Sequence, residues 1–421
     1  MLSSGKALLA ALALGLVAGC GEQRTDAPSE PPLGAWSAWL ELPGGRASFG
    51  LELGREGDGY RATLINGQER VRVPGVTVAE GRVSLTFPAY NNRIEAQWAE
   101  GRLNGTLTLV KRYGKEQRIP FAAVPGSAAP SQPQATAQVD VSGRWEVSFT
   151  EPDGNRHPAV GEFAQRGNRL FGTFLTETGD YRYLEGTVRG REVTLSKFDG
   201  AHAFLFKARE EDGRLTGRFW SGTEWLETWT AVRNPRASLA DARRLTYLKP
   251  GYERFTFAFP DTAGETVSLD DERFRGKVVV VTLAGSWCPN CHDEAAFMAP
   301  LYKRLRDQGL EVIALMYEHL EDFDGAAAQV EKFREKFGIE YPTLIAGVSD
   351  KAEAAKTLPS LNHVLAFPTT IFIGREGRVR QIHTGFQGPG TGEHYEELTR
   401  EMTALIEDLL AEPVPAAKDP A

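Results

Sequence analysis

Cysteine is scarce in this chain, which has three cysteines among 421 residues. Cys288 and Cys291 stand three positions apart, whereas Cys20 lies far from both, near the N-terminus. So few thiols exclude the disulfide-rich framework that stabilises many small exported domains. They also argue against zinc, because a zinc site needs four ligands and the sequence has no second cysteine or histidine pair at ligand spacing. The Cys288–Cys291 pair is therefore the thiol feature that needs an explanation.

The chain also lacks an excess of positive charge and long apolar runs. It carries 48 lysines and arginines against 56 aspartates and glutamates, a formal net charge of −8 at pH 7. Since no basic patch with interleaved aromatic residues is present, nucleic acid is not an expected partner. Beyond the N-terminal segment, no stretch has the run of about 20 apolar residues that a membrane-spanning helix needs. Length and a 41% hydrophobic fraction predict a modular protein of about two to four domains with substantial cores.

The N-terminus has the composition of an export signal. Residues 1–19 combine a basic residue, a short apolar stretch and small residues before Cys20. The stretch Leu16–Cys20 resembles a bacterial lipobox, in which the cysteine is lipidated and becomes the mature N-terminus; an ordinary signal peptide or a membrane anchor is the alternative. We therefore expect a signal peptide at 1–19, a lipid anchor on Cys20 and a flexible tether at 20–33. By analogy with lipoproteins, Gly21 after the cysteine favours the outer membrane, with the protein facing the periplasm.

The region after the tether repeats itself. Gly101–Thr108 matches Gly213–Trp220, and Trp36 has a counterpart in Trp145. Both copies consist of short alternating runs separated by glycine-bearing turns, a pattern typical of antiparallel strands. The repeat is too long for a solenoid, whose units have about 20–50 residues, and therefore indicates a duplicated domain.

We predict two tandem antiparallel all-β domains, each a small barrel or sandwich, at 34–125 and 140–234. A linker at 126–139, rich in proline, serine and alanine, separates them, so we expect the two domains to fold as separate units. Three tryptophans near the end of the second domain belong either to its core or to a surface that binds a partner: Trp220, Trp225 and Trp229.

After a connector at 235–254 the pattern changes to alternating strands and helices, which continues to a Pro/Ala/Lys tail at 412–421. The predicted elements are a hairpin within 255–269, a strand at 278–283, a helix at 291–306, a strand at 311–317, a helix at 326–337, a hairpin at 369–382 and a helix at 393–410. This order predicts a thioredoxin fold over residues 255–411.

Cys288 and Cys291 follow the first core strand of this domain, at the point where a helix begins. Unpaired backbone N–H groups and the positive end of the helix dipole stabilise an anion there. The thiolate is the reactive form of cysteine, and a helix N-terminus can lower a thiol pKa from about 8.5 toward about 7. Pro289 suits the first helical position because its missing N–H costs nothing there. The position of the pair predicts redox chemistry.

Residues 255–411 resemble the TlpA/ResA-like branch of the thioredoxin superfamily, whose members are membrane-attached or periplasmic thiol–disulfide oxidoreductases. The resemblance rests on Trp287–Cys291, on Glu294 three positions later, on Phe367–Thr370 before the late strand and on the Arg275–Lys277 entry to the first strand. It covers just over a third of the chain, and we identify no family for the β repeats. It implies an enzyme that reduces disulfides of exported proteins and needs no cofactor beyond the redox-active Cys288–Cys291 disulfide.

The resemblance also implies a role for each matching residue. Cys288 would be the attacking nucleophile, Cys291 would resolve the mixed disulfide, and Glu294 would exchange a proton with it. For Glu294 a solvated carboxylate on the helix surface is the alternative. Pro368 matches the family's cis-proline, which faces the thiols and presents backbone to an extended substrate. Substrate contacts are expected from Trp287, Pro289, Phe367, Pro368 and Thr369, with plain core packing as the alternative for Trp287.

Two positions depart from the family pattern. The proline often found five positions after the second cysteine is Ala296 here, and Pro300 would move the helix kink one turn onward. Thr282 occupies the place where ordinary thioredoxins bury a carboxylate. This leaves Glu294 as the main candidate for proton transfer.

Other functions fit parts of the same motif. Cys288–His292 matches the Cys-x-x-Cys-His string of haem attachment, but a haem would break the core of the predicted fold. Copper would need His292 and His363 beside the thiols, and we expect His292 to point to solvent, so no metal is expected. A thiol peroxidase shares the fold, yet the Pro-x-x-x-Thr-x-x-Cys motif of peroxiredoxins is absent. In a non-enzymatic alternative, the β tandem binds a partner in the cell envelope and the redox domain is accessory.

The resemblance favours a reductase that receives electrons from a membrane donor and passes them to protein disulfides. A fragment from Ala237 to Leu410 contains every element and site residue of the pattern, so it is expected to reduce disulfides without the β tandem. One segment argues against this independence, because its apolar residues could form a helix that docks one domain on the other: Leu239, Leu245, Tyr247 and Leu248.

Overall fold

The computed structural model describes Met1, residues 30–126 and residues 136–415. The predicted signal peptide after Met1, the lipidation site Cys20, most of the tether, most of the linker and most of the C-terminal tail lie outside the described residues. In the ranges that are described, no helix is both long and apolar enough to cross a membrane.

The first β domain is a meander of nine antiparallel strands. Their sheet order, β4-β3-β2-β1-β9-β8-β7-β6-β5, places the first and last strands side by side. Buried and exposed side chains alternate along the strands, so one face of the curled sheet forms a core around Trp36. The strands are β1 (Gly34–Leu42), β2 (Gly45–Glu56), β3 (Gly59–Asn66), β4 (Glu69–Val73), β5 (Gly75–Ala79), β6 (Arg82–Phe87), β7 (Asn92–Ala99), β8 (Arg102–Val110) and β9 (Glu116–Pro125).

The second β domain repeats this meander and closes it. Its strands are β10 (Gly143–Thr150), β11 (Arg156–Arg166), β12 (Arg169–Thr176), β13 (Gly179–Asp180), β14 (Leu184–Arg189), β15 (Glu192–Phe198), β16 (Ala203–Glu211), β17 (Arg214–Ser221) and β18 (Trp225–Arg233). The order β11-β10-β18-β17-β16-β15-β14-β12 closes into a barrel because β11 also pairs with β12. Trp145 is buried on the first strand of this domain, as Trp36 is on the first strand of the other. The two predicted all-β domains are confirmed.

The two β domains share part of their core. Phe198, at the end of β15, packs against Phe49 of β2 and Phe87 of β6, with 5.2 and 5.7 Å between ring centroids. Ser196 adds hydrogen bonds to the backbone of Ser48. The linker predicted two separately folding units, whereas the structure has Phe198, Ala203 and Leu205 of the second domain buried in the apolar cluster of the first.

The three tryptophans of the second domain have three different environments. Trp229 is buried in the barrel core, and the side chain of Trp225 is largely exposed. The ring of Trp220 lies flat against Gly44 in the turn between β1 and β2, where a Cβ would come within 2.5 Å of the ring. They do not form a common surface patch.

The C-terminal domain has the predicted thioredoxin fold. Its strands are β19 (Ala258–Pro260), β20 (Thr266–Ser268), β21 (Val278–Ala284), β22 (Leu310–Glu318), β23 (Thr343–Val348), β24 (Thr369–Ile373) and β25 (Val379–Thr384), and its main sheet has the order β23-β22-β21-β24-β25. The α-helices in the described part of the chain are α1 (Ala242–Leu245), α2 (Pro289–Leu305), α3 (Phe323–Phe337), α4 (Lys351–Thr357) and α5 (Glu393–Ala411). Strands β21, β22 and β23 are parallel, and β24 and β25 run antiparallel to their neighbours. Sequence analysis missed β23, which contains Gly347, and α4, which has seven residues.

The connector joins the second β domain to the thioredoxin domain by packing on both. Ala237 lies in a small apolar cluster with Val160 and Leu175 of the barrel. Further on, Thr246 accepts a hydrogen bond from Thr384 of β25 (2.9 Å), and Leu248 forms a β-bridge with Leu361. The connector therefore docks the thioredoxin domain on the second β domain, as predicted. Its helix, α1, is only four residues long, so most of the segment is not helical.

Candidate active site

The two thiols lie at the C-terminal end of β21, the central strand of the main sheet. All seven residues of β21 are buried, in keeping with its nearly continuous apolar sequence. Cys288 is the N-cap residue of α2, and its Sγ accepts a hydrogen bond from the backbone N–H of Cys291 (3.2 Å). Pro289 takes the first helical position. The N-terminus of α2 thus directs a donor at the sulfur of Cys288, an arrangement that stabilises a thiolate.

The two thiols are free and have different surroundings. Cys291 is 1% exposed, and burial raises its pKa well above the ordinary value, with contributions from Cys288 and Glu294. Cys288 has the helical N–H donor, and its Sγ also lies 3.3 Å from the carbonyl oxygen of Phe367. This asymmetry suits a pair in which one thiol attacks and the other stays protonated until it is needed.

The segment around Pro368 closes one side of the thiols. The peptide bond between Phe367 and Pro368 is cis, in agreement with the resemblance. Trp287 packs edge-on against Phe367 and donates its indole N–H to the carbonyl oxygen of Tyr317 (2.8 Å). These two contacts fix the orientation of its half-buried ring. Thr369 is buried, and its hydroxyl donates to the carbonyl oxygen of Ala366 (2.8 Å). The structure therefore brings all the predicted substrate-contact residues together, with Thr369 turned toward its own loop.

Glu294 is buried beside the thiols. Its carboxylate accepts hydrogen bonds from the hydroxyls of Thr282 and Thr370. Burial raises its pKa to about 6, against the effect of these two hydrogen bonds. A cavity of about 10 Å³ has both Cys291 and Glu294 in its lining, roughly the volume that one water molecule needs. Glu294 is therefore not a solvated carboxylate on the helix surface. Thr282, which stands where ordinary thioredoxins bury a carboxylate, is one of its two hydrogen-bond donors.

A second buried carboxylate, Glu318, was missed by sequence analysis. It lies at the end of β22 and accepts hydrogen bonds from the backbone N–H and the hydroxyl of Ser286 (2.9 and 2.6 Å). Burial raises its pKa to about 7. Because it fixes the turn that leads into Cys288, it supports the geometry of the site. Nothing in its local sequence separates it from an exposed strand-end glutamate.

The expectation that His292 points to solvent is wrong. Its ring is buried, lies 2.6 Å from the carbonyl oxygen of Ser286 through Nε2, and contacts Nζ of Lys336 through Nδ1 (2.8 Å). Burial, with Lys336 adding to it, lowers its pKa well below the ordinary value, so the ring is neutral. Three aromatic rings bury the imidazole: Phe333 and Phe337 of α3 pack edge-on at 5.0 and 5.2 Å, and Tyr90 of the first β domain stacks on it at 4.3 Å.

The second β domain also reaches the motif, through the turn between β13 and β14. Asp180 accepts a hydrogen bond from the side-chain amide of Asn290 (3.1 Å), the residue between Pro289 and Cys291. Arg182 donates to the carbonyl oxygen of Pro289 (3.3 Å) and pairs with Asp293, which follows the first turn of α2. Sequence analysis missed both residues because no motif marks them and their partners lie over 100 positions away.

Among the residues that the structure describes, no group of three or more histidine, cysteine, aspartate or glutamate side chains could hold a metal ion. His363 contacts the carbonyl oxygen of Leu245 in the connector (3.0 Å).

Comparison with known proteins bears on the same domain. A model of the AhpC/TSA family matches residues 250–382. The thiol-disulfide oxidoreductase ResA of Bacillus thuringiensis subsp. konkukian is 32% identical over 154 residues, which are 36% of this chain and 78% of that protein. The ResA protein of Bacillus subtilis is 28% identical over 138 residues, which are 33% of this chain and 69% of that protein. A solved structure of a thiol:disulfide interchange protein from Chlorobium tepidum is also similar, with 17% identity, a TM-score of 0.29, and coverage of 38% of this chain and 96% of that one.

Proposed function

Because the chain belongs, through its C-terminal domain, to the ResA family of thiol–disulfide oxidoreductases, we propose that it reduces disulfides of exported proteins with the Cys288–Cys291 dithiol. One observation carries the proposal: Cys288 caps helix α2, with the N–H of Cys291 directed at its sulfur. A helix N-terminus stabilises the thiolate that attacks a disulfide.

The reaction proceeds in two exchanges. The Cys288 thiolate attacks one sulfur of the substrate disulfide, a mixed disulfide forms, and the other substrate sulfur leaves as a thiolate that takes up a proton. Cys291 then loses its proton and attacks Sγ of Cys288, which releases the second substrate thiol. The substrate gains two electrons and two protons, and the enzyme is left with a Cys288–Cys291 disulfide. A dithiol donor must reduce that disulfide before the next turnover.

Glu294 is proposed to accept the proton of Cys291. Both residues line the same small cavity, and the raised pKa of Glu294, about 6, lets the carboxyl take up and return a proton near neutral pH. Proton removal matters here because burial raises the pKa of Cys291 and keeps it protonated.

Substrate backbone is proposed to bind along Phe367 and Pro368, next to the sulfur of Cys288. The carbonyl oxygen of Phe367 lies 3.3 Å from Sγ of Cys288, so backbone paired there would bring a substrate disulfide close to the nucleophile. Trp287, Pro289 and Thr369 surround the same spot.

The location follows from the N-terminal sequence. We propose that the protein is exported, lipidated at Cys20 and held at the periplasmic side of the cell envelope, with the outer membrane favoured over the inner one. A membrane protein is the proposed electron donor.

Insulin reduction by the full chain tests the function. In the presence of dithiothreitol, the wild type should accelerate precipitation of the insulin B chain, and Cys288→Ser should lose that acceleration. Cys20→Ser is the matched control, because it removes the cysteine that lies outside the proposed redox pair, and it should keep the wild-type rate. Equal activity of Cys288→Ser and wild type would contradict the proposal.

The two alternatives gain no support. A thiol peroxidase needs one attacking thiol poised for peroxide, whereas here a second thiol lies one helical turn from the first, and the ResA relatives are named thiol-disulfide oxidoreductases. A role of the β tandem in binding a partner is not favoured by the three tryptophans, which share no surface.

A further inference from the structure

The Cys-Pro-Asn-Cys turn is enclosed by parts of all three domains. Cys288, the proposed nucleophile, is 5% exposed. A disulfide exchange requires the partner sulfur to reach the attacking thiol, and a segment of a protein substrate cannot approach a sulfur whose residue has so little exposed surface. In this arrangement, therefore, the thiols are assembled but closed to a macromolecular disulfide.

The first β domain covers the site from one side. Tyr90, in the short turn after β6, stacks on His292, which follows Cys291 directly. The same turn is held by Gln329 of α3, whose side-chain amide donates to the carbonyl oxygens of Pro88 and Ala89 (2.9 and 2.7 Å).

The second β domain covers the site from the other side with the turn of residues 177–183. Gly179 has a φ of +138°, and a Cβ there would lie 2.4 Å from Nδ2 of Asn290, so only glycine lets the backbone come this close. Asp180 accepts from Asn290 and also from the backbone N–H of Gly388 (2.7 Å) in the thioredoxin domain. The turn thus lies directly on the residue between Pro289 and Cys291.

Arg182 joins the three domains. Its side chain is 15% exposed, pairs with Glu69 of the first β domain (2.7 Å) and with Asp293 of α2, and donates to the carbonyl oxygen of Pro289 (3.3 Å). Its backbone is left-handed, with a φ of +57°, which is uncommon for a residue with a side chain. Asp180 holds that conformation by accepting from the N–H of Arg182.

The contacts within the β tandem differ in kind from those between the tandem and the thioredoxin domain. The two β domains share a buried apolar cluster that contains Phe198 of the second domain and Phe49 of the first. The buried apolar cluster of the thioredoxin domain is a separate one, formed by residues from Phe255 to Leu409. The contacts over the dithiol include hydrogen bonds, ion pairs, the stack of Tyr90 on His292 and the Lys336 ammonium 5.1 Å from the centre of the Tyr90 ring. Polar interfaces of this kind allow domains to separate, whereas a shared apolar core moves as a unit.

We propose that the β tandem is a cap on the dithiol, formed by the Pro88–Tyr90 turn and the 177–183 turn, and that it must move away as one body before a protein disulfide reaches Cys288. That the substrate is a protein disulfide rests on the proposed function. That the β tandem covers the dithiol rests on the geometry alone. Arg182 and Tyr90 act as residues that hold the cap closed, without a part in the exchange itself.

The test measures access to Cys288 in the full chain. With Cys20→Ser and Cys291→Ser as the background, Cys288 is the one remaining cysteine, and its labelling is followed with iodoacetamide and with a maleimide that carries a long polyethylene glycol chain. Each reagent's rate on the folded protein is divided by its rate on the urea-unfolded chain. In the capped protein this ratio should be far lower for the bulky reagent than for iodoacetamide. Arg182→Ala should raise the bulky-reagent rate about tenfold or more, since losing one buried charge-assisted contact outweighs the ~1.4 kcal/mol that a tenfold change represents. Tyr90→Ala, on the other β domain, removes a ring stack and should raise the same rate about threefold or more.

Arg209→Ala is the matched control, because Arg209 is an exposed arginine of the second β domain that pairs with Glu192 and Glu211. It should leave both labelling rates unchanged. Circular dichroism identifies a variant that has failed to fold, in which case the other variant decides. Bulky labelling of the folded background protein at the unfolded rate would overturn the cap, and so would unchanged bulky labelling in a folded Arg182→Ala or Tyr90→Ala chain.

The insulin assay separates failure of the cap from failure of the proposed function. It is run on the same variants with Cys291 retained. Faster labelling of Cys288 without any insulin reduction would uphold the cap and contradict the reductase. Insulin reduction by a wild-type chain whose Cys288 reacts freely with the bulky reagent would uphold the reductase and contradict the cap.

Discussion

Glu294 is the residue whose surroundings determine how the site responds to pH. It is buried, and two threonine hydroxyls donate to it. Burial disfavours the charged form more than the hydrogen bonds favour it, so its pKa rises from 4.5 to about 6. Because the folded-state pKa is raised, the stabilising contribution of this group is complete below pH 4.5 and is lost as the pH rises through 6.

Glu294→Gln should slow disulfide exchange above pH 6 and remove the inflection that the wild type shows near that pH. The glutamine side chain can fill the same space and bond to Thr282 or Thr370, but it cannot accept the proton of Cys291. Stopped-flow rates of insulin or model-disulfide reduction between pH 5 and pH 8 measure this. Identical rates and pH profiles in both proteins would show that Glu294 has no part in proton transfer.

The same variant should change how stability depends on pH. Since a buried carboxylate destabilises the folded chain once it is charged, Glu294→Gln should gain stability relative to the wild type as the pH rises from 4.5 through 6. Urea unfolding at pH 4.5 and pH 7.5 gives the comparison. A constant difference between the two proteins at both pH values would contradict the raised pKa.

Cys288 should be labelled before Cys291 when the reduced chain is treated with limiting iodoacetamide. The helix N-terminus directs an N–H donor at Cys288, whereas burial keeps Cys291 protonated. Mass spectrometry of the digested protein reports the labelled position, and the urea-unfolded chain, in which both thiols should react alike, is the control. Preferential labelling of Cys291 would reverse the assignment of attacking and resolving thiol.

At the residue scale, the place of Cys288 and Cys291 after a buried strand is visible in the sequence, whereas Glu294 and Pro368 were singled out by the resemblance to the TlpA/ResA-like branch. Glu318 was not predictable, since its role depends on a hydrogen bond to Ser286, which lies 32 positions earlier. The burial of His292 was not predictable either, because the rings that cover it come from α3 and, in the case of Tyr90, from another domain.

Among the elements, the strand–turn–helix unit of β21 and α2 was found from sequence because its apolar run and its proline-initiated helix are strong local signals. The same holds for β22, α3, the β24–β25 hairpin and α5. Strand β23 escaped because Gly347 interrupts a run of six residues, and α4 escaped because seven residues carry little periodicity. Such short elements form where the surrounding sheet and helices stabilise them.

Strand β15 carries the apolar contact that unites the two β domains. Phe198→Ala should lower the free energy of unfolding by about 3–5 kcal/mol, because the side chain is fully buried between two other phenylalanines. Urea denaturation followed by tryptophan fluorescence measures the change. Leu226→Ala, at an exposed apolar position of the same domain, is the control and should stay within about 0.5 kcal/mol of the wild type. A similarly small effect of Phe198→Ala would mean that the two β domains do not share a core in solution.

For the molecule as a whole, the sequence predicted three domains in the right order but not how they are packed. A linker composition says nothing about contacts between distant residues such as Arg182 and Asp293, which no periodicity or motif connects. The prediction that residues 237–410 form a self-sufficient enzyme therefore overlooked three partners of that domain: Tyr90, Asp180 and Arg182.

A fragment from Ala237 to Leu410 should consequently be less stable than the same domain within the full chain. Without the β tandem, Asp293 loses its arginine partner and His292 loses the ring that covers it. Differential scanning calorimetry should give a lower midpoint for the fragment than for the thioredoxin domain in the full protein. Equal midpoints would show that the contacts of the tandem add nothing to the stability of the redox domain.

Trapping the mixed disulfide tests the central claim, that Cys288 exchanges disulfides and Cys291 resolves them, most directly. The full-length Cys291→Ser chain is reduced, incubated with a disulfide-bonded protein, quenched with acid and digested for mass spectrometry. A covalent adduct joined through Cys288 should accumulate, because the first exchange can proceed and the second cannot. The wild type should show little adduct, and Cys288→Ser should show none. Absence of a Cys288 adduct in Cys291→Ser, or equal adduct in Cys288→Ser, would contradict the account.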